Sequence, residues 1–552
     1  MSMKATTKLK RPLLGAALMV VAGVTHTQAQ AQTAAPAPAA PAAAPVATPM
    51  TAPTKAVFAI RGFDVVGENP LPEGETTRVL APFLRSDGSI EVLQKASTAL
   101  EGALKARGYA LHRVVLPPQS VGETVRLEVV KFVIGKITIE GAQQLSEQNI
   151  RRSLPELQEG QAPNFKTLAV QTTIANENPG KQVTVSLKEA EEADRIDARI
   201  QVRESKPWTV SVGLSNTGSR ANGRDRLTVA GTHHNLFDLD HQFTGAYTTS
   251  LERLGDVRQF GGTYSVPLYR LGGVLAGTYT RSTVVGNFGG LTSTGAGQTM
   301  GLNYSQYLAP EGGYRAQVVV GLDDKRFDAA QLGGVVPPGQ LTRRSRPLSV
   351  GYRAKVESDN ASLGYEVDLS MNLGGGGGNS LAAYQSEDAR IRTTSFKVLR
   401  ANVQYLSTFG AGWLWTVKGQ AQYSADALIS GEQFGLGGSS SVRGTGERPL
   451  SADRGLLGSV ELSTPELMAG LRLSGFVDAG WLRNNVSNGT TKPSSDALAS
   501  VGLGLRYNVG NTELSAQWGR IVNGSVLAGN PNVPNAPRAG DVKLHFNLST
   551  RF

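Results

Sequence analysis

The last eleven residues alternate without a break: Val542, Leu544, Phe546, Leu548, Thr550 and Phe552 share one parity, and Lys543, His545, Asn547, Ser549 and Arg551 the other. Successive side chains of a β-strand point to opposite faces, so this strand is apolar on one side, polar on the other, and ends in an aromatic. Similar stretches recur from residue 206 onward, separated by Gly-, Asn- and Ser-rich turns. A soluble sheet can use such a pattern once. Its repetition is the signature of an antiparallel barrel that faces lipid outside and water inside, and it points to the bacterial outer membrane.

The start of the chain agrees with export. Residues 1–31 read as a secretory signal peptide: Lys4, Lys8, Lys10 and Arg11 form a basic start, 13–24 an apolar centre, and Ala29-Gln30-Ala31 a small-residue cleavage site. No later stretch approaches the ~20 apolar residues a spanning helix needs. Four of the ten net positive charges lie in this leader, leaving +6 dispersed over the remainder, with no basic cluster interleaved with aromatics; nucleic acid is not an expected partner. Cysteine is absent, which removes disulfides and thiolate metal sites. Glycine reaches 65 of 552 residues and charged residues only 18%, against the usual ~25% charged, as lipid-facing strand positions would dilute them.

Residues 32–55 are almost all Ala, Pro and Thr and read as an extended tether. Residues 56–131 and 132–205 then read as two modules of the same order, β-α-α-β-β. In the first, a strand over 57–66 and a turn at Gly67-Glu68-Asn69-Pro70 lead to a short helix near 76–84. A second helix carries Ile90, Leu93, Ala96, Leu100 and Leu104 on one face and stops at Gly108; strands over 109–116 and 124–130 close the unit. In the second, a strand over 135–140 precedes a helix capped by Ser146, with Leu145 and Ile150 placed as a hydrophobic staple. A helix near 165–176 and strands over 182–187 and 196–202 follow. Residues 206–552 remain for an all-β barrel of about sixteen strands at about 22 residues per strand and connection, with fourteen or eighteen also compatible with the pattern.

Two short motifs stand inside the barrel half. Ser441-Val442-Arg443-Gly444 lies in a long Gly/Ser-rich connection, about 430–454, and Phe476-Val477-Asp478-Ala479-Gly480 lies in a late strand. With two upstream modules and the aromatic Phe552, this resembles the two-partner (type V) secretion transporters of the outer membrane, of haemolysin/filamentous-haemagglutinin secretion and activation type. Gly108-Tyr109, Leu116-Pro117, Gly122-Glu123 and Asn216-Thr217-Gly218-Ser219-Arg220 add to the likeness, which covers about 56–552.

The resemblance implies two POTRA domains in the periplasm, a sixteen-stranded barrel, and an unfolded exoprotein (adhesin, haemolysin or contact toxin) captured by the POTRA domains and passed to the cell surface. It also implies that the 430–454 loop folds into the lumen. There the Val442-Arg443-Gly444 motif would meet a wall motif of Phe476, Asp478 and Gly480, Arg443 pairing with Asp478. A loop threading a pore has no hydrophobic core to hold it, so a guanidinium fork on a carboxylate is a sensible anchor. Phe546, Leu548 and Phe552 would form the signal read by the barrel-assembly machinery, with periplasmic chaperones and the lipid bilayer as further partners. Thr445 stands where the family usually has an aromatic, which leaves that aromatic's stacking contact without a residue here. Some members begin with a helix that plugs the pore, and the Ala/Pro tract is a poor helix former.

Other chemistry finds no support. Gly374–Gly378 shares only glycine content with a phosphate loop, His233-His234 put neighbouring side chains on opposite faces of a strand and read as a solvated pair, and Asp323-Asp324 and Glu191-Glu192 read as solvated loop charges. No catalytic residues, cofactor or metal are expected. The rival readings are a barrel-assembly insertase of the same superfamily, which usually carries more modules, and a passive porin, which needs no modules.

Overall fold

A computed structural model describes residues 58–552 apart from 121, 221, 285, 289–290, 294–295 and 330–334. The signal peptide, the Ala/Pro tether, any plug helix and the first two residues of module 1 lie outside the described residues.

In the first module the extended stretch is divided at Arg61 into Phe58–Ile60 and Gly62–Gly67. The first piece pairs with a short strand, Arg85–Gly88, that sequence periodicity does not reveal. The second lies parallel to Thr124–Lys131, which pairs antiparallel with His112–Val115. The helices are Glu73–Leu80 and Ile90–Ala106. The first begins three residues earlier than periodicity suggests, because Pro72 occupies its N-cap and two glutamates fill its first turn. Leu80, Leu100, Leu104, Leu127 and Val129 make the core.

The second module repeats the plan with Val133–Glu140, helices Glu147–Ser153 and Phe165–Glu177, and strands Lys181–Glu189 and Arg195–Glu204. The Ser146 hydroxyl accepts from the Asn149 amide to cap the first helix. Asn164 caps the second and also donates through Nδ2 to the Arg107 carbonyl (2.9 Å), while the Phe165 amide donates to the Gly108 carbonyl (2.8 Å). Gly108 has φ +96°, and a Cβ there would lie 2.3 Å from Asn164 Oδ1. The helix stop of module 1 is thereby joined to the helix start of module 2.

Sixteen antiparallel strands close into a barrel, from Trp208–Ser215 to Val542–Arg551, and these two form the seam. One strand is interrupted before Pro347 into Arg343–Ser345 and Pro347–Glu357. Strand parity sorts the side chains: Met300, Leu302, Val320, Leu322, Val350, Leu503 and Leu544 are exposed on the outer face, and charged residues such as Arg400 and Glu461 point to the lumen. Tyr314, Tyr352 and Tyr365 meet through their hydroxyls near the periplasmic rim of that outer face, as expected of an interfacial aromatic girdle.

Module 2 is locked to the barrel through buried polar groups. The turn after strand Arg226–Leu236 places Phe237, Asp238 and Asp240 at positive φ, aiming Asp240 into the module. Lys181 Nζ donates to Asp240 Oδ2 (2.6 Å) and Asn149 Oδ1 (2.9 Å), and the Tyr269 hydroxyl donates to Asp240 (2.8 Å). Lys181 and Asp240 side chains are 1% and 2% exposed. Burial pushes the Lys181 ammonium below the usual lysine range against the pull of Asp240. Asn178 donates to the His234 carbonyl (2.9 Å), and the Tyr307 hydroxyl donates to Glu177, whose carboxyl is raised by burial. His234, at 6% exposure, is buried in this junction and not solvated.

Candidate functional site in the barrel lumen

The connection between strands Trp413–Tyr423 and Arg454–Ser463 turns into the lumen. Its base is a small hairpin, Phe434–Leu436 against Leu450–Ala452, and its tip, about 438–446, lies against the inner faces of the last five strands. Ser459 and Glu461, Asp478, Ser500, Gly519 and His545 are the inward positions it meets, one or two from each of those strands.

Arg443 is 5% exposed and Asp478 0%. Nε and Nη2 of Arg443 donate to the two oxygens of Asp478 at 2.8 and 2.7 Å, and the Arg443 backbone amide donates to the same carboxylate at 3.0 Å. Nη1 donates to Glu461 at 2.5 Å and Nη2 to Ser459 at 3.2 Å. Phe476 lies under the guanidinium, its ring centre 3.4 Å from Cζ. Asp478 also accepts from the Ser459 hydroxyl (2.7 Å) and from Ser500 (3.3 Å). One cation thus holds two carboxylates, with every guanidinium nitrogen used.

Two glycines permit the approach. Gly444 has φ +102°, and an added Cβ would meet the Gly519 backbone at 3.0 Å; a Cβ on Gly480 would fall 2.6 Å from Leu436. The Gly444 amide donates to His545 Nε2 (3.1 Å). Val442 is fully buried. Thr445 does not stack on anything: its hydroxyl accepts from the Gly438 amide (2.9 Å) and donates to the Gly446 carbonyl (2.9 Å), tying the tip to itself.

The structure corrects the premise that such a loop lacks an apolar core. Leu436, Val442, Leu450 and Ala452 of the loop pack with Leu457, Leu482, Leu498 and Ile521 of the wall. It also adds an anchor of opposite sign. Glu432, 2% exposed, accepts from Arg400 (3.0 Å) and Ser345 (2.8 Å) and lies 3.2 Å from Lys325. The loop therefore carries a cation into an acidic patch and an anion into a basic patch on another part of the wall. Glu461 and Glu432 were missed in the sequence; inward parity on strand Arg454–Ser463 could have flagged the first, but nothing local marks the second. Asp323 and Asp324 stand in strand Tyr314–Phe327, not in a loop, and Arg344 pairs with Asp324. Phe546, Leu548 and Phe552 share the outer face of the final strand, and the Phe552 amide donates to the Val210 carbonyl (2.8 Å) across the seam. Among the described residues no cluster of three or more acidic or histidine side chains is placed to hold a metal.

A family model for haemolysin secretion/activation proteins of the ShlB/FhaC/HecB type matches residues 194–507, and a ShlB-type POTRA domain model matches 58–131. The chain belongs to the haemolysin secretion/activation family. It is an outer-membrane transporter of two-partner secretion, with its POTRA region in the periplasm. The outer membrane transporter CdiB of Dickeya dadantii is 23% identical over 435 residues, 77% of this chain and 76% of the relative. The heme/hemopexin transporter protein HuxB of Haemophilus influenzae is 21% identical over 443 residues, 79% and 78% of the two. The solved structure of CdiB from Escherichia coli superposes with a TM-score of 0.72 at 21% identity, covering 92% of this chain and 93% of that one. CdiB from Acinetobacter baumannii gives 0.69 at 17% identity over 90% of each. These likenesses carry the fold: a POTRA-type region followed by a sixteen-stranded barrel.

Proposed function

We propose that POTRA domains over 56–131 and 132–205 capture an unfolded exoprotein and feed it into the barrel of 206–552, past a loop whose docking is governed by Arg443. Capture by strand addition suits the first module. Gly62–Gly67 is an outer strand of its sheet and borders a cleft lined by Phe63, Val65, Leu71, Thr76 and Leu80. An edge strand supplies main-chain hydrogen bonds without demanding a particular sequence. The observation that carries the reading is the ion-held loop inside the lumen, directly downstream of a module fixed to the barrel mouth. A loop docked through charge-assisted bonds on several strands can be displaced as a unit. With no nucleotide site in the sequence, folding of the cargo outside supplies the driving force. The cargo belongs to the adhesin, haemolysin or contact-toxin class, and biogenesis uses the barrel-assembly machinery and periplasmic chaperones.

Removal of residues 56–205 tests this. The expected result is a heat-modifiable, ion-conducting barrel in the outer membrane that releases no co-expressed exoprotein. Release at the wild-type rate overturns the assignment of capture to the modules.

A further inference from the structure

The outer face of the barrel carries a row of arginines that neither the loop nor the modules use. Arg281, Gln298, Arg326 and Arg344 are successive cross-strand partners on four neighbouring strands. Their direction is settled by their neighbours. Lys325 and Ser345 contact Glu432 in the lumen, so Arg326 and Arg344 point outward. Tyr279 packs on the exposed Phe260, so Arg281 points outward too. Arg346 continues the same parity one step below. Apolar Met300, Leu302, Leu322, Leu348 and Val350 lie directly beneath on this face.

The height of the row follows from strand geometry. Tyr314, at the periplasmic girdle, and Asp324 are ten residues apart on one strand. That is about 33 Å of strand, or about 25 Å of height at a tilt of about 40°, the height of the apolar band of an outer-membrane barrel. The arginines therefore sit where the apolar band ends on the extracellular side.

Their charge is only partly absorbed by the protein. Arg344 forms a two-bonded pair with Asp324, which Arg346 approaches at 3.7 Å, and Arg281 reaches Asp328 only at 3.9 Å. Among the described residues no ion pair involves Arg326. Apart from Asp328, the flanking extracellular connections, 283–296 and 328–342, contain no acidic residue. Above Arg344 and Arg346 lies the Gly374–Gly378 turn, with Gly375, Gly376 and Gly378 at positive φ. A Cβ on Gly376 would stand 2.8 Å from Arg344 Nη1, so the glycines leave the guanidinium uncovered by side chains.

We infer that Arg281, Arg326, Arg344 and Arg346, roofed by the Gly374–Gly378 turn, bind the phosphate of an anionic headgroup in the outer leaflet. Guanidinium forks match phosphate oxygens in two-bonded geometry, and the acyl chains of the same lipid would lie on the apolar side chains below. The site grips a boundary lipid to the outer face of the strands whose Lys325 and Ser345 anchor Glu432 on the inner face.

The test uses the full-length protein purified in detergent and incubated with bisphosphorylated lipid A, with retained lipid counted by native mass spectrometry. The variant is Arg281→Gln/Arg326→Gln/Arg346→Gln, which leaves the Arg344–Asp324 pair intact. Arg326→Gln alone serves as a second variant that cannot disturb the ladder. Wild type is expected to retain lipid A, with retention falling roughly fivefold for Arg326→Gln and roughly a hundredfold for the triple variant. Lipid A stripped of its phosphates should bind like the triple variant, and equimolar inorganic phosphate should not displace the intact lipid. Equal retention by wild type and both variants, equal retention of the dephosphorylated lipid, or displacement by equimolar inorganic phosphate overturns the assignment.

Discussion

Arg443→Ala removes the one cation that, among the described residues, bonds both Asp478 and Glu461. Breaking a buried pair by deleting one partner costs about 3–5 kcal/mol, because the other charge is left uncompensated. Opposing release of the loop, Leu436, Val442 and Leu450 contribute about 1.5–3 kcal/mol each when fully buried. The ion cluster is therefore comparable to the apolar contacts, and its loss should free the tip without unfolding the sixteen-strand ladder. A shift of 3–5 kcal/mol is about 150- to 5,000-fold in the docking equilibrium. The chain has no cysteine, so Thr445→Cys, at a position 5% exposed, reports docking cleanly through its rate of maleimide labelling. Labelling should be slow with Arg443 present and at least a hundredfold faster in Arg443→Ala, while heat-modifiable barrel stays at the wild-type level and secretion collapses. Asp478→Ala should be milder, since Arg443 keeps Glu461 and the Phe476 face. The double variant should be no worse than Arg443→Ala, as expected of residues acting as a unit. Arg443→Lys should rescue only in part, because an ammonium cannot reproduce the fork. If the two single secretion defects multiply in the double variant, the pairing does not govern the loop.

Lys181→Met should leave Asp240 buried without a counter-charge at the junction, loosening module 2 by about 3–5 kcal/mol; faster amide exchange at 178, 180, 181 and 236–240 with an unchanged barrel checks this, and adding Asp240→Asn should restore part of the protection. Phe552→Asp places a charge on the lipid-facing side of the seam strand and should lower folded barrel in the outer membrane several-fold, read by heat modifiability in gels.

The barrel was legible because period-2 alternation survives in a single sequence: strands such as Trp208–Ser215 and Val542–Arg551 announce both their type and their outer face. The Arg443–Asp478 contact was legible only through motifs, since nothing in either segment points to a partner 35 residues away. Glu432 with Lys325 and Arg400, and Lys181 with Asp240, were not legible at all. Their partners are 32 to 107 residues apart, and a lone Glu or Lys in a sequence looks solvated whether or not a fold later buries it. The loop's apolar cluster was hidden for another reason. Leu436, Val442 and Leu450 stand among glycines and serines with no period, so only the curvature of the loop brings them together. The strand Arg85–Gly88 is polar and four residues long, and it exists because Gly88 and Arg85 pair with Phe58 and Ile60.

Whether cargo passes through this lumen can be measured at two adjacent positions of one strand. In Lys397–Phe409, Gln404 shares the inward parity of Arg400, which contacts Glu432, and Val403 faces outward. A photo-crosslinking residue at 404 or at 403 would be illuminated while a co-expressed exoprotein is stalled by a folded domain at its trailing end. Adducts from 404 and none from 403 are the predicted result. Equal adducts from both positions, or none from 404 while exoprotein still reaches the surface, would contradict transport through the barrel.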